Sequence, residues 1–134
     1  MTFYYCRRVY LADTDAAGVV YFARGLKICH EAYEESLAET GIELKQMIKE
    51  NIALPIVRAE IDFLRPIFCG DKLQISLDVS QVSDSEFAIA YQILPADNLQ
   101  RVLAKAITTH VCIDPQIRQR TTLPTAILKW LERC

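Results

Sequence analysis

The chain has no Cys-x-x-Cys pair, no Gly-x-Gly-x-x-Gly, no P-loop and no His-Glu-x-x-His. Nucleotide-phosphate and zinc-protease chemistry therefore find no foothold in it. Its cysteines (Cys6, Cys29, Cys69, Cys112 and Cys134) are odd in number and four sit inside apolar segments, so neither a disulfide framework nor a zinc cluster is expected. Free thiols in a reducing compartment fit this usage. A nucleophilic cysteine served by His30 or His110 is conceivable, but buried structural thiols are the commoner outcome. Apolar runs fall far short of the roughly 20 residues that a membrane span requires. The opening "MTFYYCRR" lacks the apolar core of a signal peptide, and a cytoplasmic location is expected. Neither sign of charge dominates: 15 Lys and Arg are scattered among 17 Asp and Glu, for a net charge of −2. A nucleic-acid or anionic-membrane partner would ask for a basic patch instead. Linkers, internal repeats and low-complexity tracts are missing too, and no cofactor or metal is expected.

What is present suits a single domain spanning residues 1–134, with 51% of residues apolar and 24% charged. Phe3, Tyr5, Val9 and Leu11 alternate as in a strand, with Arg7 interrupting their face. From Tyr21 to Thr40 the period changes, with Phe22, Leu26, Cys29, Tyr33 and Leu37 recurring at steps of three and four. A long helix follows from that spacing, and Gly41 is placed to end it. A short helix is expected over 43–51. Alternation returns in "VRAEIDFLR", "LQISLDV" and "EFAIAYQIL", and again from Arg101 to Ile113, where Leu103, Ile107, Val111 and Ile113 oppose Ala104, Ala106, Thr108 and His110. Turns rich in Pro, Gly, Asp and Ser separate these runs, and "TTLPTAILKWLERC" reads as a terminal helix. The layout is α+β, a long helix packed on a curved antiparallel sheet. Ile28 and Ala32 beside the helix stripe suggest leftover apolar surface, and hence a homo-oligomer.

"DTDAAGVVYFARG", Asp13 to Gly25, carries the chemistry. Asp13 and Asp15 are loop carboxylates, Gly18 permits a positive-φ turn, and the helix beginning near Tyr21 opens with amides that have no partner in the helix. Such amides, with the helix dipole, can hold an oxyanion while a carboxylate attacks an acyl carbon or activates water. The plainer reading is helix capping. Asp13 could instead close an Asx-turn, whereas Asp15 stands too far upstream for a simple cap.

The stretch "DTDAAGVVYFARGLKICHEAYEESL" resembles the signature of the 4-hydroxybenzoyl-CoA thioesterase family, in which D-x-D-x-x-G-x-V-Y leads into a central helix. "RPIFCGD" matches the family's P-x-x-x-G-D, and the likeness extends over nearly the whole chain. It implies the hotdog fold, a curved five-stranded antiparallel sheet wrapped around a long central helix, and hydrolysis of an acyl-CoA thioester without a cofactor. Residue by residue, Asp15 resembles the catalytic carboxylate, the Phe22 amide the oxyanion donor, and Gly18 the residue shaping the turn. Tyr or His is common in the family where Phe22 stands, a change that bears on side-chain contacts more than on a backbone donor. The resemblance further implies an acyl pocket between subunits near Tyr21, Phe22, Val57, Arg58 and Ala59, and a dimer or dimer of dimers. Arg118 and Arg120 are the nearest matches for CoA-binding cations, although a solvated basic loop accounts for them equally.

Other readings stay open. A second hotdog branch uses a mid-helix glutamate, for which Glu31, Glu34 and Glu35 could be proposed, but their spread suggests ordinary helix glutamates. Dehydratases of this fold rely on a histidine, and none lies in the loop before the helix here. A broad short-chain or aromatic acyl-CoA thioesterase, and a non-catalytic acyl-CoA-binding protein, would both fit the same motifs.

Overall fold

In the computed structural model, which describes residues 2–133, β1 (Phe3–Arg8) leads through a 3-10 turn (Leu11–Asp13) into α1 (Phe22–Glu39) and α2 (Leu44–Lys49). Four long strands follow: β2 (Ile56–Phe63), β3 (Lys72–Ser83), β4 (Glu86–Pro95) and β5 (Ala104–Val111). A small hairpin of β6 (Ile113–Asp114) and β7 (Gln119–Arg120), then α3 (Thr125–Arg133), complete it. The five long strands pair antiparallel in the order β1-β3-β4-β5-β2. Because β1 and β2 occupy opposite edges, α1 and α2 between them must carry the chain across the sheet. Cys134, the last of the five cysteines, lies outside the described residues.

Helix α1 buries Ile28, Cys29, Ala32, Tyr33, Ser36 and Leu37 against Leu73, Ile75 and Leu77 of β3 and Phe87, Ile89, Tyr91 and Ile93 of β4. Each large side chain so enclosed contributes about 1.5–3 kcal/mol. This stripe corrects the sequence expectation. Ile28 and Ala32, which were to be left for a second subunit, are fully buried within their own chain, whereas Phe22 is 66% exposed. A curved sheet meets the helix on more than one row of side chains, and Phe22 lies a turn ahead of Gly25, which already touches the last residue of β2. Leu11 is exposed as well, because the chain leaves β1 after Arg8 and turns. At its other end α1 stops as expected: Gly41 has φ +83°, its N–H donates to Ala38 O at 3.0 Å, and Ile42 N–H donates to Leu37 O at 2.9 Å. That pair of bonds is a Schellman closure.

Gly25 has a packing reason. A Cβ there would sit 2.6 Å from Phe63 Cζ and 2.8 Å from Ile61 Cδ1, so only glycine lets the start of α1 rest on β2. Gly25→Ala gains about 1 kcal/mol of helix propensity and meets overpacking of about 1–3 kcal/mol. The net result is a thermal midpoint lowered by a few degrees, measurable by circular dichroism.

On β5 the small face is the buried one. Ala104, Ala106, Thr108 and His110 turn inward, while Ile107 is exposed on the outer face. His110 stacks on Phe87 at 4.7 Å and lies 4.7 Å from the Tyr33 ring. Its Nδ1 meets Leu54 O at 3.2 Å, its Nε2 meets Thr108 Oγ1 at 2.9 Å, and Thr108 Oγ1 is 3.1 Å from Tyr91 Oη. A neutral imidazole satisfies all of this, donating from Nδ1 and accepting at Nε2. Burial holds its pKa down to about 4, from an ordinary 6.5. Above pH 6.5 folded and unfolded chains both carry neutral His110, and its contribution to stability is complete. Below 6.5 the unfolded chain takes the proton first, so stability falls until the folded protein also protonates near pH 4. A loss of about 3 kcal/mol across that window is expected from His110. Urea midpoints at pH 7 and 4.5 check it, and His110→Gln should flatten the slope.

Candidate active site

Residues 13–21 form a miniature hairpin. Tyr21 N–H donates to Asp13 O at 2.9 Å, Thr14 bridges Val20, Asp15 N–H donates to Val19 O at 2.9 Å, and Gly18 N–H closes the tip on Asp15 O at 3.0 Å. Gly18 has φ +82°, which a residue with a Cβ rarely adopts. The hairpin is tied to the β2–β3 turn through Val20 N–H to Ile67 O at 2.8 Å and a Val19–Phe68 bridge. Asp15 therefore stands near the tip of a braced loop, paired across the hairpin with Val19, which lies three residues before the start of α1.

The two aspartates play different parts. Asp13 is buried, its Oδ2 accepting from Arg7 Nη2 at 2.8 Å and from Tyr10 N–H at 2.9 Å. Asp15 is exposed, and its Oδ1 accepts Ala17 N–H at 2.9 Å in an Asx-turn. It does not cap α1.

Neither does Tyr21, which holds the cap position in extended backbone without a side-chain bond. The first turn reads Phe-Ala-Arg-Gly and contains no acid. Among the described residues the amides of Phe22 and Ala23 find no acceptor. A helix start with free donors, a positive dipole end and Arg24 in its first turn is suited to hold negative charge. Around it lie exposed apolar side chains: Tyr21 and Phe22 (ring centroids 4.8 Å apart), Phe63, Leu64 and Phe68. A cleft of about 240 Å³ runs between the hairpin and the β2–β3 turn, walled by Val19, Val20, Phe63, Leu64 and Ile67. Phe63, Leu64 and Phe68 were missed by sequence reasoning, although "DFLRPIF" holds all three beside a recognised turn.

The remaining candidates separate. Val57, Arg58 and Ala59 are exposed on β2, paired with the far half of β5 across a register shift, and lie two to four residues before Ile61, where β2 meets the start of α1. Arg118 sits at φ +58° in the β6–β7 turn, and Arg120 pairs with Glu86 at 3.3 Å. Both are at the opposite end of the sheet from Asp15 within one chain. Glu31 is half-buried and engaged by Lys27, Tyr5 and Arg7, Glu34 by His30 at 3.2 Å, and Glu35 is exposed. Burial pushes the Cys29 thiol up to about 12 and raises Cys112, which leaves both poor nucleophiles.

The chain belongs to the thioesterase-like superfamily, whose family model matches residues 9–131. It is similar to the 1,4-dihydroxy-2-naphthoyl-CoA hydrolase of Crocosphaera subtropica, with 54% identity over 128 residues, 95% of this chain and 93% of that protein. The protein of that name from Gloeothece citriformis is 53% identical over 130 residues, 96% of this chain and 91% of its own. Among solved structures, a 1,4-dihydroxy-2-naphthoyl-CoA thioesterase from Synechocystis superposes with a TM-score of 0.93 at 44% identity, covering 98% of this chain and 96% of that one.

Proposed function

We propose that this chain, as a single hotdog domain, hydrolyses 1,4-dihydroxy-2-naphthoyl-CoA to 1,4-dihydroxy-2-naphthoate and CoA, a step of phylloquinone biosynthesis. The observation that carries the reading is the exposed Asp15 carboxylate on a hairpin that runs directly into the free amides of Phe22 and Ala23, in a chain with such relatives. The thioester oxygen rests on those amides, which gain strength as it becomes an oxyanion. Asp15 then acts as nucleophile, forming a mixed anhydride and releasing CoA thiolate before water opens it, or as general base for water attacking directly. The flat bicyclic acyl group is held by burial and stacking among Tyr21, Phe22, Phe63 and Phe68. No cofactor enters the reaction.

The working unit in this reading is a cytoplasmic homo-oligomer, a dimer or dimer of dimers. The β2 edge supports it: one side of the strand pairs with β5, and Ile56, Val57 and Phe63 stand exposed along it. An open apolar edge recruits another strand. Antiparallel pairing with β2 of a second copy would carry residues 57–59 of each chain toward the helix start of the other, and with them the ends bearing Arg118 and Arg120, in reach of CoA phosphates. Among the described residues no helix is long and apolar enough to cross a membrane.

Free-thiol release across a panel of acyl-CoAs tests the substrate. The naphthoyl thioester should exceed benzoyl, 4-hydroxybenzoyl and short-chain thioesters at least about tenfold in kcat/KM, a difference of 1.4 kcal/mol in transition-state binding. Equal or faster turnover of a short-chain thioester would sink this substrate assignment and leave a broad thioesterase.

A further inference from the structure

We infer that Asp13, locked to Arg7, is a positioning residue for Asp15. The inference rests on the catalytic role proposed for Asp15. Arg7 takes a core-facing position on β1, a costly place for a cation unless it is paired. Its Nη2 donates to Asp13 Oδ2 at 2.8 Å and its Nε lies 3.4 Å from Glu31 Oε1, while its Nη1 is buried without a partner. Glu31 is braced in turn by Lys27 Nζ at 3.2 Å and by Tyr5 Oη, which donates at 3.2 Å. The guanidinium thereby joins β1, the body of α1 and the foot of the hairpin.

Asp13 uses both of its polar ends. Its carboxylate holds Arg7 and Tyr10 N–H, and its carbonyl accepts Tyr21 N–H at 2.9 Å, the bond that closes the hairpin where α1 begins. Two residues further on, the next hairpin bond, Asp15 N–H to Val19 O, sets the catalytic carboxylate itself. No other charged side chain grips the hairpin foot among the described residues. Asp15 is exposed and makes only a local Asx-turn, so its aim depends on the rigidity of this base. A misplacement of about 1 Å costs on the order of 100-fold in rate.

The experiment measures kcat and KM for 1,4-dihydroxy-2-naphthoyl-CoA with the parent, Asp13→Asn, Asp15→Asn, the double variant and Arg7→Lys, each at a temperature where circular dichroism shows it folded. Asp13→Asn should lower kcat by about tenfold or more with KM moved less than about threefold, the signature of lost transition-state alignment. Added to Asp15→Asn, it should cost no more than about twofold, because the group it aims is already gone. Arg7→Lys, which keeps the charge but loses the guanidinium fork, should show the same pattern to a smaller degree, and it decides the matter alone if Asp13→Asn does not fold. An Asp15→Asn variant as fast as the parent removes the catalytic reading and this inference together. A slow Asp15→Asn beside a fast Asp13→Asn, or losses that multiply in the double variant, overturns the positioning role and leaves the catalytic one standing.

Discussion

Asp15→Asn is expected to lower kcat for thioester hydrolysis by about 10³-fold, or about 4 kcal/mol of transition-state stabilisation, with KM changed only a few-fold. Asparagine has nearly the shape of aspartate, and its amide oxygen can still accept the Ala17 N–H that shapes the tip of the hairpin. The bond from Asp15 N–H to Val19 O belongs to the backbone and is untouched. Because the side chain is exposed and its one hydrogen bond can be kept by asparagine, folding stability should stay within about 0.5 kcal/mol of the parent. Any large loss of rate then reports chemistry and not a damaged fold. A residual rate above that in water should persist, since the substitution leaves in place the Phe22 and Ala23 amides, the oxyanion donors of the proposed mechanism. A single turnover of the parent in isotopic water completes the experiment: label entering the Asp15 carboxyl marks an anhydride opened by water at the aspartyl carbon. An Asp15→Asn variant that retained parental kcat would remove the carboxylate from the mechanism.

Trp130→Ala is expected to cost about 3–5 kcal/mol, at the upper end of what a single core truncation costs. Trp130 is completely buried and is the only tryptophan, which places it among the heaviest anchors of the core. Its indole packs edge-on to Phe87 at 5.3 Å and to Tyr33 at 5.7 Å, joining α3 to β4 and α1. Its Nε1–H donates to Ser36 Oγ at 3.0 Å, and that hydroxyl donates to Tyr33 O at 2.7 Å. Removing the ring opens a cavity, strips two aromatic faces and takes a partner from a buried serine. Against a total stability of about 5–15 kcal/mol, this brings the chain close to unfolding at room temperature. Trp130→Phe keeps most of the contact and gives up the N–H, so a loss of about 1–2 kcal/mol is expected. Urea unfolding followed by circular dichroism measures both, because tryptophan fluorescence disappears with the residue. A midpoint for Trp130→Ala within experimental error of the parent would mean that α3 does not anchor the core.

Much of the fold was legible in the chain. Hydrophobic period distinguishes a helix from a strand without reference to the rest of the molecule, and α1, α2, β2, β3, β4 and α3 fall close to where alternation or three-four spacing puts them. Gly41 ends α1 because left-handed backbone is a local property. Boundaries failed where distant pairing intervenes. The stretch 101–113 reads as one strand, yet pairing stops at Val111, and Ile113 leaves to bridge Ala53 and pair with Arg120.

Local chemistry was equally readable at the site. Asp15, Gly18 and the helix start lie within ten residues of one another, and short-range hydrogen bonds assemble them. Arg7 was visible only as an interruption in an apolar face; that the interruption marks a paired cation could not be read, because Asp13 reaches it through a turn and Glu31 from a helix.

By itself, then, the amino-acid order determined the element types, the carboxylate turn and the free helix start, since each depends on neighbours along the backbone. Tertiary structure alone decided which face of β5 is buried, that Ile28 and Ala32 belong to their own core, and that Asp13 is buried in an ion pair while Asp15 is exposed. Those outcomes are set by which surfaces meet across the sheet, and contacts between residues far apart in the chain leave no period in a sequence to be read.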